Sequence, residues 1–297
     1  MSATLLDGKK LAAEMRAEIA AEVARLRTGT GVQPGLGVIL AGENPASLSY
    51  VTAKEKACAE AGMFSREVRL PGTATQQDVV AAVEEMNRDS RLHGILVQLP
   101  LPKGIDERAV IDAISPEKDV DGFTPVNAGR MLIGEPCFLP CTPHGIIQML
   151  LRAGVETKGR HAVVIGRSNI VGKPVAQLLA RKAPGGDATV TICHTGTKDL
   201  AAFTKAADIL IVAAGHANTV NGSMVKPGAV VIDVGVNRVP DASKPRGYRL
   251  CGDVEFDSVN EVASLLTPVP GGVGPMTITM LLFNTLASAK RTAAPAS

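Results

Sequence analysis

Apolar residues along this chain recur at two spacings, and the switches between them mark out its elements. Positions 8–27 repeat at the helical period, and "LGVILAG" (36–42) is a short apolar run ending in a turn, which predicts a buried strand. The helical period returns between Asn44, a suitable cap, and Gly62, a suitable stop, with Pro45 in the first helical position. On such a helix Tyr50, Val51, Lys54, Ala57, Cys58 and Ala61 share one face. Thr52, Lys56, Ala59 and Glu60 share the other, with Glu55 at the border. Further strands are predicted at 65–71 and at 93–102, the second ended by its prolines. Helices are predicted at 75–89, with Thr75 as cap, and near 106–114.

The stretch 115–143 carries five prolines and three glycines and reads as a loop-rich connection between domains that lines a cleft. A helix at about 143–153 leads out of it. A second alternating series follows, with strands at 161–166, 188–194, 207–214 and 229–235 and helices near 172–182, 198–205 and 222–226. "TPVPGGVGPMT" (267–277) breaks the pattern, a helix of about 15 residues closes the chain, and "TAAPAS" (292–297) reads as a frayed tail. Two runs of strand–helix alternation predict an α/β protein of two domains, each a parallel sheet covered by helices.

The composition is globular, 45% apolar and 20% charged over 297 residues. A net charge of +2 gives no electrostatic case for nucleic acid or a membrane surface. No apolar stretch approaches the ~18 residues of a transmembrane helix, and "MSATLLDGKK" lacks the apolar run of a signal peptide. The five scattered cysteines fit a reducing cytoplasm. Cys137, Cys141 and His144 lack a fourth ligand and are interrupted by prolines, so no metal is expected.

Three stretches carry candidate chemistry. In "VVIGRSNIVGKPVAQLL" (163–179) a strand runs through Gly166, Arg167 and Ser168 into a helix, a turn whose backbone N–H groups can meet a phosphate. A bare tight turn would look similar, since the spacing is not G-x-G-x-x-G. The next strand ends in His194, Thr195 and Thr197 with no carboxylate before Asp199, which favours NADP over NAD. Gln98 stands at the end of an otherwise apolar strand, where ligands sit in α/β sheets, and could touch Lys54. Asp119 and Asp121 are either turn residues or ligand-facing. The proline- and glycine-rich 267–277 suits a stiff loop that a ligand can approach, or a hinge. Lys54, on an apolar face, either snorkels outward or has a lowered pKa and does chemistry.

In order along the chain, "NPASLSYVTAK", "VQLPLP", "KDVDGF", "PCTPHG", "VIGRSNIVGKPVA", "VIDVGVN", "GDV" and "TPVPGGVGPMT" resemble the bifunctional methylenetetrahydrofolate dehydrogenase/cyclohydrolase family over nearly the whole length. The resemblance implies a folate-binding catalytic domain at 1–140, joined by a C-terminal helix at about 277–297. A Rossmann-type NADP-binding domain is implied at 141–276, with a homodimer formed through it. Lys54 matches the catalytic lysine, Tyr50 the tyrosine packing on the folate, Gln98 the glutamine beside the lysine, and Asp121 the aspartate holding the pterin. Val97, Leu99, Pro270, Gly271, Gly272 and Pro275 are implied around the folate, and Gly166, Arg167, Ser168, Thr195 and Val236 around NADP. Thr195 stands where many relatives have serine, and Val236 where some have isoleucine. Two rivals share the cofactor fold: an amino- or hydroxy-acid dehydrogenase, which needs an arginine clamp not evident in the N-terminal half, and a regulatory dinucleotide-binding module without chemistry.

Overall fold

The structure is a computed structural model that describes residues 2–244 and 247–293. The chain divides into two compact units. One comprises Ala13–Cys141 together with the chain from Ile278 onward; the other comprises the chain up to Ala12 together with Thr142–Thr277.

The elements run in order as β1 (Thr4–Leu5), α1 (Gly8–Thr30), β2 (Gly35–Ala41), α2 (Pro45–Glu60), β3 (Phe64–Leu70), α3 (Gln76–Arg88), β4 (Gly94–Val97), α4 (Glu107–Asp112) and α5 (Pro125–Ile133). Then come α6 (Cys141–Arg152), β5 (His161–Ile165), α7 (Gly172–Ala180), β6 (Thr189–Cys193), α8 (Leu200–Thr204), β7 (Ile209–Val212) and a short 3-10 turn at Gly222–Met224. The chain ends with β8 (Val230–Asp233), β9 (Asn237–Pro240), β10 (Tyr248–Cys251), α9 (Phe256–Asn260), β11 (Leu265–Leu266) and α10 (Val273–Ala293).

The first unit holds a three-stranded parallel sheet in the order β3-β2-β4, with Ile39 opposite both Val68 and Val97. β2 is apolar throughout and buried at every position, as a central strand covered on both faces must be. Val79, Val83 and Met86 of α3 pack on Ile39, Ile95 and Val97. Thr75 and Asp78 form a reciprocal capping box at the start of α3. α10 belongs to this unit from Ile278 onward, and its Lys290 pairs with Glu22 of α1 across 2.6 Å.

The second unit holds a six-stranded, all-parallel sheet in the order β1-β11-β8-β7-β5-β6. β6 and β7 follow β5 on opposite sides, so the strand order reverses at β5, and an open α/β sheet binds its ligand at such a point.

Several features depart from the sequence patterning, among them the segment near 222–226, which is a three-residue 3-10 turn rather than a helix, and α9, which was not expected. Residues 115–143 are not all loop: Thr124 caps α5, Pro125 takes its first position and Gly134 ends it at φ 80°. The two-residue strands β1 and β11 and the β9–β10 hairpin were not legible. The closing helix spans 21 residues because it begins at Val273, inside the glycine-rich segment. Thr292 and Ala293 belong to that helix rather than to a tail, and 294–297 lie outside the described residues. Among the described residues no helix is long and apolar enough to cross a membrane.

Candidate active site

Asn44 accepts the Ser47 N–H at 3.4 Å to start α2, and Gly62 at φ +74° stops it. The helix buries Val51, Lys54, Ala57 and Cys58, with Ala61 buried just past its end, and leaves Thr52, Lys56, Ala59 and Glu60 exposed. Tyr50 lies at the rim of the buried face, 47% exposed, and Lys54 one turn later is 8% exposed. Lys54 does not snorkel. Its Nζ donates to Gln98 Oε1 at 2.8 Å. The other end of that amide is fixed too, because Gln98 Nε2 donates to Leu99 O at 2.8 Å and Gln98 N to Ile39 O at 2.9 Å. Gln98 follows directly on β4, with Val97 buried before it and Leu99 half-buried after it.

Electrostatics favour a proton carrier here. Burial pulls the Lys54 ammonium below its ordinary range, and the Asp121 carboxylate pulls it back in part. Burial pushes the Asp121 carboxyl up to about 6, against the pull of Lys54 and a hydrogen bond from Cys141. The two neighbours thus approach each other in proton affinity from opposite directions. The Cys58 thiol, one turn beyond Lys54, is pushed up to about 12 by burial and stays a neutral wall.

Asp119 and Asp121 have separate fates. Asp119 is buried and accepts from Phe123 N, Thr124 N, Thr124 Oγ1 and Asn127 Nδ2, so it builds the turn into α5. Asp121 keeps part of its surface exposed and its charge acts on Lys54. One residue the sequence did not single out supports this loop: Asn284 of α10, 3% exposed, donates to Val120 O at 2.8 Å and Leu139 O at 3.0 Å. A lone asparagine in an apolar helix was the available signal.

In the second unit Gly166 follows β5 at φ 122°, where a Cβ would lie 2.2 Å from Ala213 O; a Cβ on Gly172 would lie 2.2 Å from Gly166 O. Glycine is required at both, so the backbone itself forms the cradle. Ser168 Oγ accepts from Val171 N at 3.1 Å and Gly172 N at 3.3 Å, and Arg167 is exposed beside it. After β6, His194 N donates to Thr197 Oγ1 at 2.9 Å, which leaves Thr195 exposed at the tip of the turn. No carboxylate stands at that strand end before Asp199. A glycine cradle, an exposed cation and hydroxyls fit a phosphorylated dinucleotide. Val236, 53% exposed, follows β8.

The 267–272 segment is held within the same unit. Lys9 N donates to Gly271 O at 3.1 Å, and a Cβ on Gly8 would lie 1.8 Å from Gly272 O. Pro270 lies in this loop, Gly271 has φ 109°, and Pro275 lies in the first turn of α10. The expected site residues therefore fall into two groups. Tyr50, Lys54, Val97, Gln98, Leu99 and Asp121 belong to one unit, and the NADP-turn and 270–275 residues to the other.

Sequence profiles match most of the chain. The tetrahydrofolate dehydrogenase/cyclohydrolase catalytic domain matches residues 6–121, and the NAD(P)-binding domain of the same family matches residues 140–293. The bifunctional protein FolD of Geobacillus thermodenitrificans is 56% identical over 294 residues, covering 99% of this chain and 100% of that relative. The crystal structure of FolD from Campylobacter jejuni superposes with a TM-score of 0.92 at 46% identity, covering 98% of this chain and 100% of that one. The Trypanosoma brucei FolD structure, complexed with NADP cofactor and inhibitor, gives 0.93 at 43% identity over 98% and 99%.

Proposed function

The chain belongs to the tetrahydrofolate dehydrogenase/cyclohydrolase family, and from that membership we infer its chemistry and the part each residue plays in it. The protein oxidises 5,10-methylenetetrahydrofolate to the 5,10-methenyl compound with NADP+ and hydrolyses that product to 10-formyltetrahydrofolate. An amino- or hydroxy-acid dehydrogenase and a module without chemistry are both displaced by this membership.

In the hydrolytic step, water adds to the methenyl carbon and gives up a proton. The bond from that carbon to N5 then breaks, and N5 takes a proton. Lys54 is the general base and then the general acid of this exchange. Its lowered proton affinity keeps a neutral amine accessible, and Gln98 aims it. The observation that carries this reading is the buried Lys54–Gln98 contact. Asp121 accepts from the amino-pyrimidinone edge of the pterin, for which an ionised carboxylate offers two acceptors. The exposed Tyr50 ring stacks on the folate, and Val97, Leu99, Pro270, Gly271, Gly272 and Pro275 shape its surroundings.

For the oxidative step, bound NADP+ supplies the hydride acceptor. The Gly166 turn takes the pyrophosphate, Arg167 and Ser168 take the 2′-phosphate, Thr195 adds a hydroxyl, and Val236 packs near the nicotinamide. The test is the formation of methenyltetrahydrofolate, followed at its own absorbance band, with NADP+ and NAD+ compared. A protein that turns over with neither, or that prefers NAD+, overturns the cofactor assignment.

A homodimer through the cofactor unit is supported by β6, an edge strand of the six-stranded sheet, with Ile192 and Phe203 exposed on β6 and the neighbouring α8. Sedimentation of the Ile192→Lys variant as a monomer, against a wild-type dimer, tests it. A cytoplasmic location is supported by the five free cysteines and tested by fractionation.

A further inference from the structure

A buried pair of carboxylates at the carboxyl edge of the six-stranded sheet has no part in the chemistry above. Asp233 ends β8 and Asp253 follows β10, and they are 2% and 0% exposed. Asp233 accepts from Gly235 N at 3.0 Å and from Asp253 N at 2.9 Å. Asp253 in turn accepts from Gly215 N at 2.8 Å through Oδ2 and from Asn237 Nδ2 at 2.8 Å through Oδ1. Glycines clear the space for both. A Cβ on Gly252 would lie 1.7 Å from Asp233 Oδ2, and one on Gly235 would lie 2.0 Å from Asp253 Oδ1.

Placing two carboxylates in one core is costly, and an apolar anchor would hold a loop at lower cost. What a carboxylate adds is direction, since each oxygen accepts along defined lines. The groups it directs belong to two loops. Gly215 lies in the loop after β7, Gly235 and Val236 lie in the loop after β8, and Asn237 is the first residue of β9 beyond it. Both loops leave the carboxyl ends of parallel strands, one from β7 next to β5, where the strand order reverses, and one from β8 a strand further out. The pair is too buried to touch a ligand itself.

We propose that Asp253, braced by Asp233, is a positioning residue for hydride transfer, locking the Gly215 loop and the Val236 loop in one register. The proposal rests on the dehydrogenase/cyclohydrolase reading. It predicts an asymmetry that a purely structural role does not: the oxidative step depends on this lock, and the hydrolytic step, run by Lys54, Gln98 and Asp121, does not.

The test is Asp253→Asn, in which the new amide nitrogen faces either the Gly215 N–H, a donor–donor contact, or the Asn237 amide, which can accept from it only by flipping and giving up its own bond to Gly252 O. Both activities are assayed on the full-length protein, with the melting temperature followed alongside. Dehydrogenase kcat/KM should fall roughly tenfold to a hundredfold, mainly through KM for NADP+, while cyclohydrolase stays within about twofold. Asn237→Ala should show the same split more weakly, and it carries the test should Asp253→Asn fail to fold. Equal loss of both activities, or no loss of either in a folded variant, overturns the proposal. A wild-type protein with neither activity overturns the functional reading instead.

Discussion

Lys54 Nζ lies 2.8 Å from Gln98 Oε1, so a buried cation is aimed by a neutral amide rather than neutralised by a carboxylate. That choice of partner keeps the proton loosely held. An ionised partner at this distance would raise the lysine's affinity for it. Gln98→Glu should therefore shift the ascending, acid-side limb of the cyclohydrolase pH profile upward and lower the rate at neutral pH. An unshifted limb would show that Gln98 does not set the lysine's protonation.

Lys54→Met keeps the stem and removes the proton carrier. Hydrolysis of the methenyl compound should fall by about 10²–10⁴, with hydride transfer retained in part. Lys56, two residues on, is exposed and pairs with Glu60 at 3.8 Å on the surface, so Lys56→Met is the control and should be near silent. Both activities are read from initial rates on the two folates.

Asp121 carries a pH signature. Its carboxyl is held up to about 6 by burial, so it is protonated below that pH and ionised above it. Substrate affinity should rise as pH increases through about 6, where the ionised form becomes available to the pterin. Asp121→Asn should weaken folate binding at pH 7.5, abolish that rise and leave NADP+ binding intact. Calorimetric titrations at several pH values check all three.

Arg167 stands exposed beside the glycine cradle, and the chain carries no carboxylate between the end of β6 and Asp199. Arg167→Ala should weaken NADP+ by roughly tenfold to a hundredfold and NAD+ little. Equal losses would make Arg167 a structural residue.

Much of this was legible in local chemistry. Asn44, Pro45 and Gly62 specify both ends of α2, and the apolar stripe between them specifies that Lys54 faces inward. Other parts were not. α5 carries its own signals in Thr124, Pro125 and Gly134, but the density of prolines around them reads as loop. β1 and β11 are two residues each, too short for a period, and exist because a neighbouring strand pairs with them. Asp119 and Asp121 are identical in type and two apart. Only the turn geometry, with four donors converging on Asp119, separates it from Asp121, whose charge acts on Lys54. Asp253 is likewise invisible as an anchor, because its partners Gly215 and Asn237 lie 38 and 16 residues away.

The membership of α10 in the first unit has a consequence for synthesis on the ribosome. Ala13–Cys141 emerges early, but the helix that supplies Asn284 to Val120 and Leu139 follows only after Thr142–Thr277 has been made. At about 5–20 residues per second that interval lasts roughly seven to thirty seconds. Throughout it the nascent chain carries an unfilled groove where Leu281, Leu282 and Leu286 will be buried. The Asp121 loop meanwhile lacks its clamp. The unit that holds Ala13–Cys141 is thus begun before most of the other and completed after it.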